Sequence, residues 1–407
     1  MYFDILVIGA GPAGLAFSAM AADIGLKVGL FDRQSKTSLA NPKNDGRDIA
    51  VSERSRKIMY GLGAWQKIDP AQISPIRDAK VMDGDAPFAL HFNPQNAGAD
   101  RLGNIVSNHL IRRALYDVAD IRPNITLFTD AQVTALIRTE NMARVCLEDG
   151  SVFTGQLAVA ADTRFSQIRR DAGIKANMHD FGQTMIVGRM AHAKPHHHTA
   201  WEMFRYDGGM AVLPLTGNTS SIVQTFCAEE AARFMAMSDE DYAHDTAPRL
   251  KGLLGGLECT GKRMAYPLVG VYAQKFYDER LALIGDAAVG MHPVTAHGFN
   301  FGIQGLDNLV KHLHSAKIAG LDLGGVQALK AYNRDHRRLT WPLYQMTEKM
   351  MGLYTSNTIP ARIARKAALR AASFMAPAKD VLMARLADVS VGKLLAGKLP
   401  SPKLPRF

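Results

Sequence analysis

The chain has 407 residues, of which 47% are hydrophobic and 21% are charged. This length predicts two or three domains, since domains usually contain roughly 100–200 residues, and the composition excludes collagen-like, coiled-coil and wholly disordered proteins. The three cysteines stand far apart, at Cys146, Cys227 and Cys259. This spacing gives neither a disulfide framework nor a thiolate metal site, which favours a reducing, cytoplasmic compartment.

The formal net charge of +10 is concentrated at the C-terminal end of the chain. Residues 331–407 contain 14 Lys and Arg against 4 Asp and Glu, so the charges of the first 330 residues balance. No segment approaches the roughly 18 uninterrupted apolar residues of a membrane-spanning helix. Nucleic acid is a disfavoured partner, because aromatic residues do not alternate with the basic ones.

The first predicted elements are a β-strand over residues 3–8, a glycine-rich turn, a helix and a second strand. The turn contains Gly9, Gly11 and Gly14, and the second strand ends at Asp32. This is the GxGxxG dinucleotide-binding fingerprint in its required setting, where the glycines let a pyrophosphate approach the helix N-terminus and the aspartate accepts hydrogen bonds from a ribose. The fingerprint does not decide between NAD and FAD.

Two later apolar runs are predicted to be strands of the same parallel sheet. They are residues 157–161, which precede Asp162, and residues 281–284. Between them, residues 181–270 contain β-rich segments separated by glycine turns, which predicts a largely antiparallel sheet inserted into the α/β domain. Residues 298–319 are predicted to form a helix.

A second motif follows the last of these strands and consists of Gly285, Asp286, Ala287, Ala288, Pro293, His297, Gly298, Phe299 and Asn300. It resembles the GDAAH…P…GxGxN pattern of the FAD-dependent aromatic hydroxylases, the group A flavin monooxygenases. The resemblance implies that FAD is the cofactor, with its ribityl chain at the aspartate and its pyrimidine ring at the helix start. Backbone N–H groups there stabilise negative charge on the reduced ring.

Residues 45–52 and 162–169 resemble two further motifs of this family, DGRxxALS and DGxxSxxR. By this resemblance Arg47 lies near the FAD phosphates or the substrate entrance, and Asn108 and Arg112 lie along the cofactor cleft. The fingerprint and the resemblance together assign to the FAD site Gly9, Gly11, Pro12, Ala13, Gly14, Asp32, Arg33, Arg47, Asn108, Arg112, Asp162, Gly285, Asp286, Pro293, Gly298, Phe299 and Asn300. No metal ligand is assigned, and catalysis is assigned to His297, Pro293 and Arg47.

The family implies a Rossmann-like, GR2/PHBH-like FAD-binding domain with a parallel sheet, an inserted β substrate domain and a helical C-terminal tail. We expect the FAD-binding domain to contain residues 1–72, 98–180 and 271–330. The substrate domain is expected to contain residues 73–97 and 181–270, and the basic helical region residues 331–407. In that region one helix face is predicted to present Arg362, Arg365, Lys366 and Arg370. This face binds an anionic membrane surface or packs on its own domain, and the pattern leaves both open.

Within the family, the chain is most similar to the ubiquinone-biosynthesis hydroxylases, and to their UbiM branch in particular. This implies hydroxylation of a polyprenylated phenol or quinol through a flavin C4a-hydroperoxide, with NADH or NADPH as the reductant and O2 as the co-substrate. Contact with the inner face of a bacterial membrane and with other quinone-biosynthesis proteins would suit such a substrate. The alternatives are hydroxylation of another aromatic compound, reduction or saturation of isoprenoid chains, and a non-enzymatic subunit of a quinone-synthesis complex.

Several residues depart from the family pattern or carry chemistry on their own. Val289 stands where the family has histidine, and Thr163 stands where it has glycine, which would be strained if that turn needs a positive φ. His297 replaces a glutamine, and either it or His292 could orient or deprotonate a phenol. The histidines around 196–198 suggest a metal site, but a solvated loop is the favoured interpretation.

Overall fold

The computed structural model describes residues 1–83, 89–97, 99–205, 208–293 and 297–355. Its helices are α1 (Pro12–Asp23), α2 (Lys36–Ala40), α3 (Glu53–Gly61), α4 (Asn108–Asp120), α5 (Gln167–Asp171), α6 (Ala228–Ala236), α7 (Asp239–Arg249), α8 (Gly298–Ile318) and α9 (Val326–Thr355). Short 3-10 turns lie at Trp65–Lys67, Pro70–Gln72, Pro94–Ala97 and Gly285–Ala287.

The β-strands of the described residues are β1 (Tyr2–Ile8), β2 (Val28–Phe31), β3 (Asp48–Val51), β4 (Ser74–Ile76), β5 (Asp78–Asp83), β6 (Ala89–Phe92), β7 (Gly103–Ser107), β8 (Ile125–Phe128), β9 (Val133–Arg138), β10 (Ala143–Leu147), β11 (Val152–Ala160), β12 (Ala176–His192), β13 (Thr199–Arg205), β14 (Gly208–Pro214), β15 (Thr219–Cys227), β16 (Leu257–Cys259), β17 (Met264–Ala273), β18 (Tyr277–Asp278), β19 (Leu281–Leu283) and β20 (Val289–Gly290). They form three sheets.

The first sheet contains the fingerprint strand and has the order β18-β19-β11-β1-β2-β8. Strand β1 pairs in parallel with β2 and β11, and β11 pairs in parallel with β19. Parallel strands are covered by helices on both faces, which explains why these segments are apolar runs rather than alternating patterns. Helix α1 is accordingly buried along its length and packs against α4 and α8.

The second sheet has the order β20-β17-β12-β15-β14-β13-β5-β6, and its pairs are antiparallel except for β13 with β5. A third, small sheet has the order β3-β7-β4. The parallel first sheet, the largely antiparallel second sheet and the helices confirm the predicted α/β fold class. The segment between residues 181 and 270 also contains helices α6 and α7, which the sequence pattern did not indicate.

Two of the expected domain boundaries, at residues 180 and 270, fall inside continuous strands. Strand β12 begins at Ala176 and pairs with β17 from its first residue, with a register irregularity between Asp180 and Thr184. The two sheets are therefore joined through long strands rather than through loops at these points. The predicted basic helix with Arg362 lies outside the described residues. Within the described residues, no helix is both long and apolar enough to cross a bilayer.

Candidate functional site

A large cleft, of about 2000 Å³, lies between the parallel sheet and the antiparallel sheet. It is about twice the roughly 1,000 Å³ upper end of ordinary small-ligand pockets. Most of the residues assigned from the sequence line it: Gly11, Pro12, Ala13, Arg33, Arg47, Asn108, Arg112, Asp162, Gly285, Asp286, Pro293, His297, Gly298, Phe299 and Asn300. The cleft therefore has room for a dinucleotide and a second molecule.

The two glycine motifs, about 270 residues apart in the sequence, meet at one point of this cleft. Gly285 has a φ of +56°, and a Cβ at this position would lie 2.8 Å from the Cβ of Ala13 in the first turn of α1. Only glycine combines that backbone conformation with so close an approach. The N-termini of α1 and α8 consequently open on the same space, where their N–H groups favour negatively charged ligand groups.

The remaining fingerprint residues, Gly9, Gly14 and Asp32, shape the turn rather than line the cleft. The Asp32 carboxylate accepts hydrogen bonds from the N–H of Ala10, at 2.6 Å, and from the N–H of Gln34, at 2.8 Å. The carboxylate thus holds the glycine turn against the end of β2. Its predicted contact with a ribose uses the same two oxygens and stays a prediction.

A polar network surrounds Arg47, the residue assigned to the phosphates or the substrate entrance. Its guanidinium donates to Asp45 at 2.6 Å and lies 5.5 Å from the centre of the Tyr266 ring. Asn108 donates to the same carboxylate at 2.7 Å. Burial alone would raise the pKa of Asp45, but the hydrogen bonds and charge of Arg47 and the Asn108 amide hold it below its ordinary value. Arg47 is thereby fixed at the cleft wall.

Asn300, at the start of α8, makes two hydrogen bonds to backbone groups. Its amide donates to the carbonyl of Ala50 at 2.8 Å and accepts from the N–H of Ser52 at 2.8 Å. These bonds join α8 to strand β3 and helix α3. Asn300 therefore positions one cleft wall against the other, a role the motif alone did not indicate.

The segment after β11 brings the half-buried Asp162 and Arg164 to the cleft, with the buried Arg169 behind them. Burial raises the pKa of Asp162, and its Oδ1 accepts no hydrogen bond from the described part of the protein. Arg164 donates to Asp286 at 2.9 Å, and Arg169 donates to the carbonyl of Ala287 at 2.9 Å. These bonds tie the DGxxSxxR-like segment to the second glycine motif. An unsatisfied oxygen on a residue that lines the cleft fits the hydroxyl or N–H groups of a bound dinucleotide.

The structure explains two departures from the family pattern. The backbone φ of Thr163 is not positive. Its hydroxyl accepts a hydrogen bond from the N–H of Phe165 at 3.2 Å. The expected strain does not arise, because the turn does not need glycine. Val289 is 5% exposed, pairs with Tyr272 between β20 and β17 and packs in the main core, so an apolar side chain suits this position.

His292 and His297, on either side of Pro293, differ in burial: His292 is buried and His297 is half-buried. His292 and His297 both line the cleft, and burial lowers the pKa of His292 to about 4. A ring that stays neutral throughout the physiological range can take part in hydrogen bonds but does not carry charge. His292 contacts the Phe181 ring edge-on, at 4.7 Å between ring centres, and His297 lies 5.2 Å from Phe301.

The solvated-loop interpretation of the histidine cluster is wrong for two of its members. His192 and His196 are 6% and 7% exposed. His192 contacts Ser220 Oγ at 3.0 Å, and His196 contacts the carbonyl of Leu215 at 2.9 Å. Both rings are buried hydrogen-bonding groups that fix the β12–β13 connection, and only long-range contacts reveal this.

The family resemblance indicated that the segment 201–215 closes the substrate pocket, but most residues of the apolar side of the cleft, and the role of one carboxyl group in it, were not recognised from the sequence. The second sheet contributes Val81, Met185, Val187, Ala200, Phe204, Ala211, Leu213, Val223 and Leu268, which we call the apolar wall. Glu202 lies within this wall. Helix α9 adds one face, made of Leu339, Pro342, Leu343 and Met346. Two sequence patterns could have indicated these residues: the alternation of side chains between the two faces of β13, and the i, i+3, i+4, i+7 spacing of the apolar residues on α9.

The fold and the cleft define a dinucleotide-binding α/β protein whose second compartment is apolar. Residues 2–347 match the family described as FAD binding domain. A search of curated proteins finds 44% identity over 390 residues to the ubiquinone hydroxylase UbiM of Neisseria meningitidis, covering 95% of this chain and 85% of that protein. The ubiquinone hydroxylase UbiL of Rhodospirillum rubrum is 32% identical, with coverage of 99% and 92%. The chain belongs to the FAD binding domain family and, within it, to the ubiquinone hydroxylases.

Solved structures agree at the level of the fold. Pseudomonas aeruginosa PqsL, determined in complex with 2-aminobenzoylacetate, superposes with a TM-score of 0.75 at 18% identity, covering 88% of this chain and 97% of that one. The p-nitrophenol 4-monooxygenase PnpA of Pseudomonas putida DLL-E4 gives a TM-score of 0.74 at 16% identity, with coverage of 96% and 98%. The family match confirms FAD as the predicted cofactor.

Proposed function

We propose that the protein is an FAD-dependent monooxygenase that hydroxylates the aromatic ring of a polyprenylated phenol or quinol in ubiquinone biosynthesis. The observation that carries this proposal is the cleft itself, which adjoins two helix N-termini on one side and the apolar wall on the other. The similarity of the chain to UbiM and UbiL, both named ubiquinone hydroxylases, supports the substrate class. NADH or NADPH is the proposed reductant and O2 the co-substrate.

The residues present fit FAD, which supplies the oxygen-transfer chemistry when it is bound. We assign the N-terminus of α1 at Gly11 to the pyrophosphate, Asp286 to the ribityl chain, and the N-terminus of α8 at Gly298 to the pyrimidine end of the ring. A Cβ built on Gly11 or on Gly298 meets no atom within 4 Å, so both positions are open to a ligand. Arg47 borders the substrate entrance, and Pro293 and His297 border the reacting ring.

The proposed division of the chain follows from this arrangement. The parallel sheet and its helices hold the cofactor, the second sheet provides the substrate wall, and α9 closes the apolar end. The domain ranges given above remain part of the proposal. The protein's task is to place the ring, to exclude water and to favour the phenolate.

Complementation of bacterial strains that each lack one ubiquinone hydroxylase tests the function, with quinones and accumulated intermediates identified by mass spectrometry. Restored quinone in one strain identifies the ring position, and restoration in several indicates broad regioselectivity. With the purified protein, consumption of one O2 per hydroxylated product separates hydroxylation from isoprenoid saturation, which uses none. A protein that carries FAD but restores no strain would exclude the quinone assignment.

The apolar face of α9 that lines the cleft is expected to bind the prenyl tail of the substrate, with Met346 as one of the contacting residues. This side chain lines the cleft and is 47% exposed, so a change there does not disturb the core. Met346→Glu is expected to lower kcat/KM for a long-tailed phenol about tenfold, since burying a methionine is worth roughly 1.5–3 kcal/mol, and to change kcat/KM for an untailed phenol less than about twofold. Steady-state assays on both substrates measure this. Ile318→Glu, at an exposed position outside the cleft, is the control, and equal losses on both substrates would contradict tail recognition.

We also propose that the protein contacts the inner face of the membrane, where a polyprenylated substrate dissolves. The exposed surface of α9 near the apolar end of the cleft presents Arg338, Trp341, Met346 and Lys349. Basic and aromatic side chains on one helix face suit an anionic interface. The full chain is expected to sediment with phosphatidylglycerol vesicles but not with phosphatidylcholine vesicles. A chain that lacks residues 361–407 is expected to bind less, and unchanged binding would remove the tail from this proposal.

A further inference from the structure

Glu202 is a carboxyl group built into the apolar wall. It lies on β13 between Ala200 and Phe204, and all three residues line the cleft. In the register of the sheet, Glu202 is opposite Val81 of β5 on one side and Ala211 of β14 on the other. A carboxyl group whose neighbours in the strand and across it are all apolar costs free energy. Its presence there calls for a chemical reason.

The cleft reaches this carboxyl group, because both Glu202 and the neighbouring Gly209 line it. Gly209 has no side chain, and a Cβ built on it would lie 3.1 Å from Oγ1 of Thr225 and 3.9 Å from Oε1 of Glu202, so the missing side chain leaves the carboxyl group uncovered on this side. Glu202 itself is of intermediate exposure and is reached through the cleft. A ring that lies against the apolar wall can therefore bring a hydroxyl group to the carboxyl oxygens.

The charged groups around Glu202 are engaged elsewhere. The Lys80 ammonium lies 4.7 Å from the centre of the Trp201 ring, and Arg205 donates to the carbonyl of Arg249. Asp83 lies further along β5, Glu230 borders the cleft from α6, and Arg47 across the cleft is paired with Asp45. In the described part of the protein, the Glu202 carboxyl group makes no hydrogen bond or ion pair with any of these groups. Burial raises the pKa of Glu202 to about 8.

We propose that Glu202 is the base that binds the phenolic hydroxyl of the substrate and accepts its proton. This assignment rests on the proposed function and adds a catalytic residue to it. A base is most effective when its pKa lies near the working pH and not far from the pKa of the group it deprotonates, which is about 10 for a phenol. An ordinary glutamate would be too weak a base for this task.

The proton balance of the reaction is simple. One O2 and one NAD(P)H, with one proton, give one ring hydroxyl and one water. As a ring carbon forms its new C–O bond, the O–O bond would break with its electron pair leaving on the other oxygen, which takes a proton from solvent and becomes the water, and the phenolic proton would move to the Glu202 carboxylate. The same ring carbon then loses its hydrogen to solvent as a proton, and Glu202 returns its proton to the original oxygen. Glu202 ends the cycle as it began.

The test compares Glu202→Gln, Glu202→Asp and the exposed control Glu258→Gln, all as FAD-containing proteins with matched flavin spectra. The probes are 2-geranylphenol and its methyl ether, 2-geranylanisole, which has no proton to give. For the phenol, Glu202→Gln is expected to lower kcat/KM about 100-fold and to remove the rise of activity with pH near 8, whereas Glu202→Asp keeps a rise. The ether forms no phenolate, so it is expected to bind without being hydroxylated, and its Kd is expected to be the same for Glu202→Gln and wild type.

A second readout does not depend on activity. A carboxyl group whose pKa is raised from 4.5 to about 8 in the folded state binds its proton more tightly when folded. Its contribution to stability is complete below about pH 4.5 and is lost as the pH rises through about 8. The Tm of the wild type relative to Glu202→Gln is therefore expected to fall between pH 5 and pH 9, with no such change for Glu258→Gln.

Three results would overturn the assignment. If Glu202→Gln hydroxylates 2-geranylphenol with wild-type kcat/KM and pH dependence, Glu202 is not the base. If it loses activity on the phenol and also binds the ether more weakly than wild type does, its role is structural. A wild-type protein that hydroxylates neither compound would overturn the proposed function itself, and this outcome is distinct from the other two.

Discussion

Replacing Gly14 with alanine is expected to yield a protein that retains little or no FAD and unfolds at a lower temperature. A Cβ on Gly14 would lie 1.8 Å from the carbonyl oxygen of Gly9 and 3.3 Å from the Cβ of Ala161. The first of these atoms belongs to the backbone of the turn, so α1 must move away from the end of β1. Overpacking of this kind costs about 1–3 kcal/mol or more. The flavin absorbance per mole of protein and the Tm of the apoprotein measure both effects.

Gly11→Ala is the matched control for that experiment, because its added methyl group meets no atom within 4 Å in the protein itself. The apoprotein is expected to keep its Tm within about 2 °C, since surface changes without contacts usually alter stability by less than about 0.5 kcal/mol. FAD is nevertheless expected to bind about 10–100-fold more weakly, because the methyl group occupies space where the pyrophosphate approaches the backbone. Gly14→Ala protein with a full complement of FAD would contradict the assignment of the turn.

The turn also shows why much of the fold could be predicted from the sequence. The glycine spacing specifies a strand, a turn and a helix within about 25 residues, and local sterics decide that structure. Strands β1, β11 and β19 were recognisable because burial on both faces demands continuous apolar runs. Helices α6 and α7 were missed because their short patterns lie between strands and resemble loops.

The candidate site was predictable where it is made of local motifs and not where it depends on distant partners. Asp286 and Gly298 could be assigned from the motif that contains them. Nothing in the sequence near Asn300 indicates that its amide binds the backbone of β3, about 250 residues earlier. Whether Thr163 is strained could not be decided from the sequence, because φ cannot be read from residue identity. The burial of the His192 ring likewise depends on contacts that only the folded chain makes.

The apolar wall illustrates the same limit in a functional setting. Ala200, Glu202 and Phe204 alternate with residues that pack on the other face of β13, so period-two spacing places them together. Which face borders the cofactor cleft depends on the sheet order β14-β13-β5, including the parallel pair β13 and β5. A glutamate in a strand is ordinarily a solvated residue. Glu202 could be recognised as a candidate functional residue only after the cleft and the apolar neighbours of Glu202 were known.

The buried ion pair between Arg189 and Asp48 leads to the second large prediction. Arg189 projects from β12 and donates to the Asp48 carboxylate at 2.6 Å, where the Ser107 hydroxyl also donates at 2.9 Å. The Asp48 side chain is fully buried. Arg189→Ala leaves that carboxylate with one donor, so the free energy of unfolding is expected to fall by about 3–5 kcal/mol.

Urea unfolding of the FAD-containing protein measures this loss, and the variant Arg189→Met/Asp48→Asn provides the comparison. The double variant removes the charge together with its partner, so it is expected to regain more than half of the stability that Arg189→Ala loses, because a buried unpaired charge costs more than a neutral pair. Both variants are also expected to lower kcat/KM, since the pair is one link between the second sheet and strand β3, next to Arg47. Equal stability of Arg189→Ala and wild type would show that the antiparallel sheet is held against the cofactor side by other contacts.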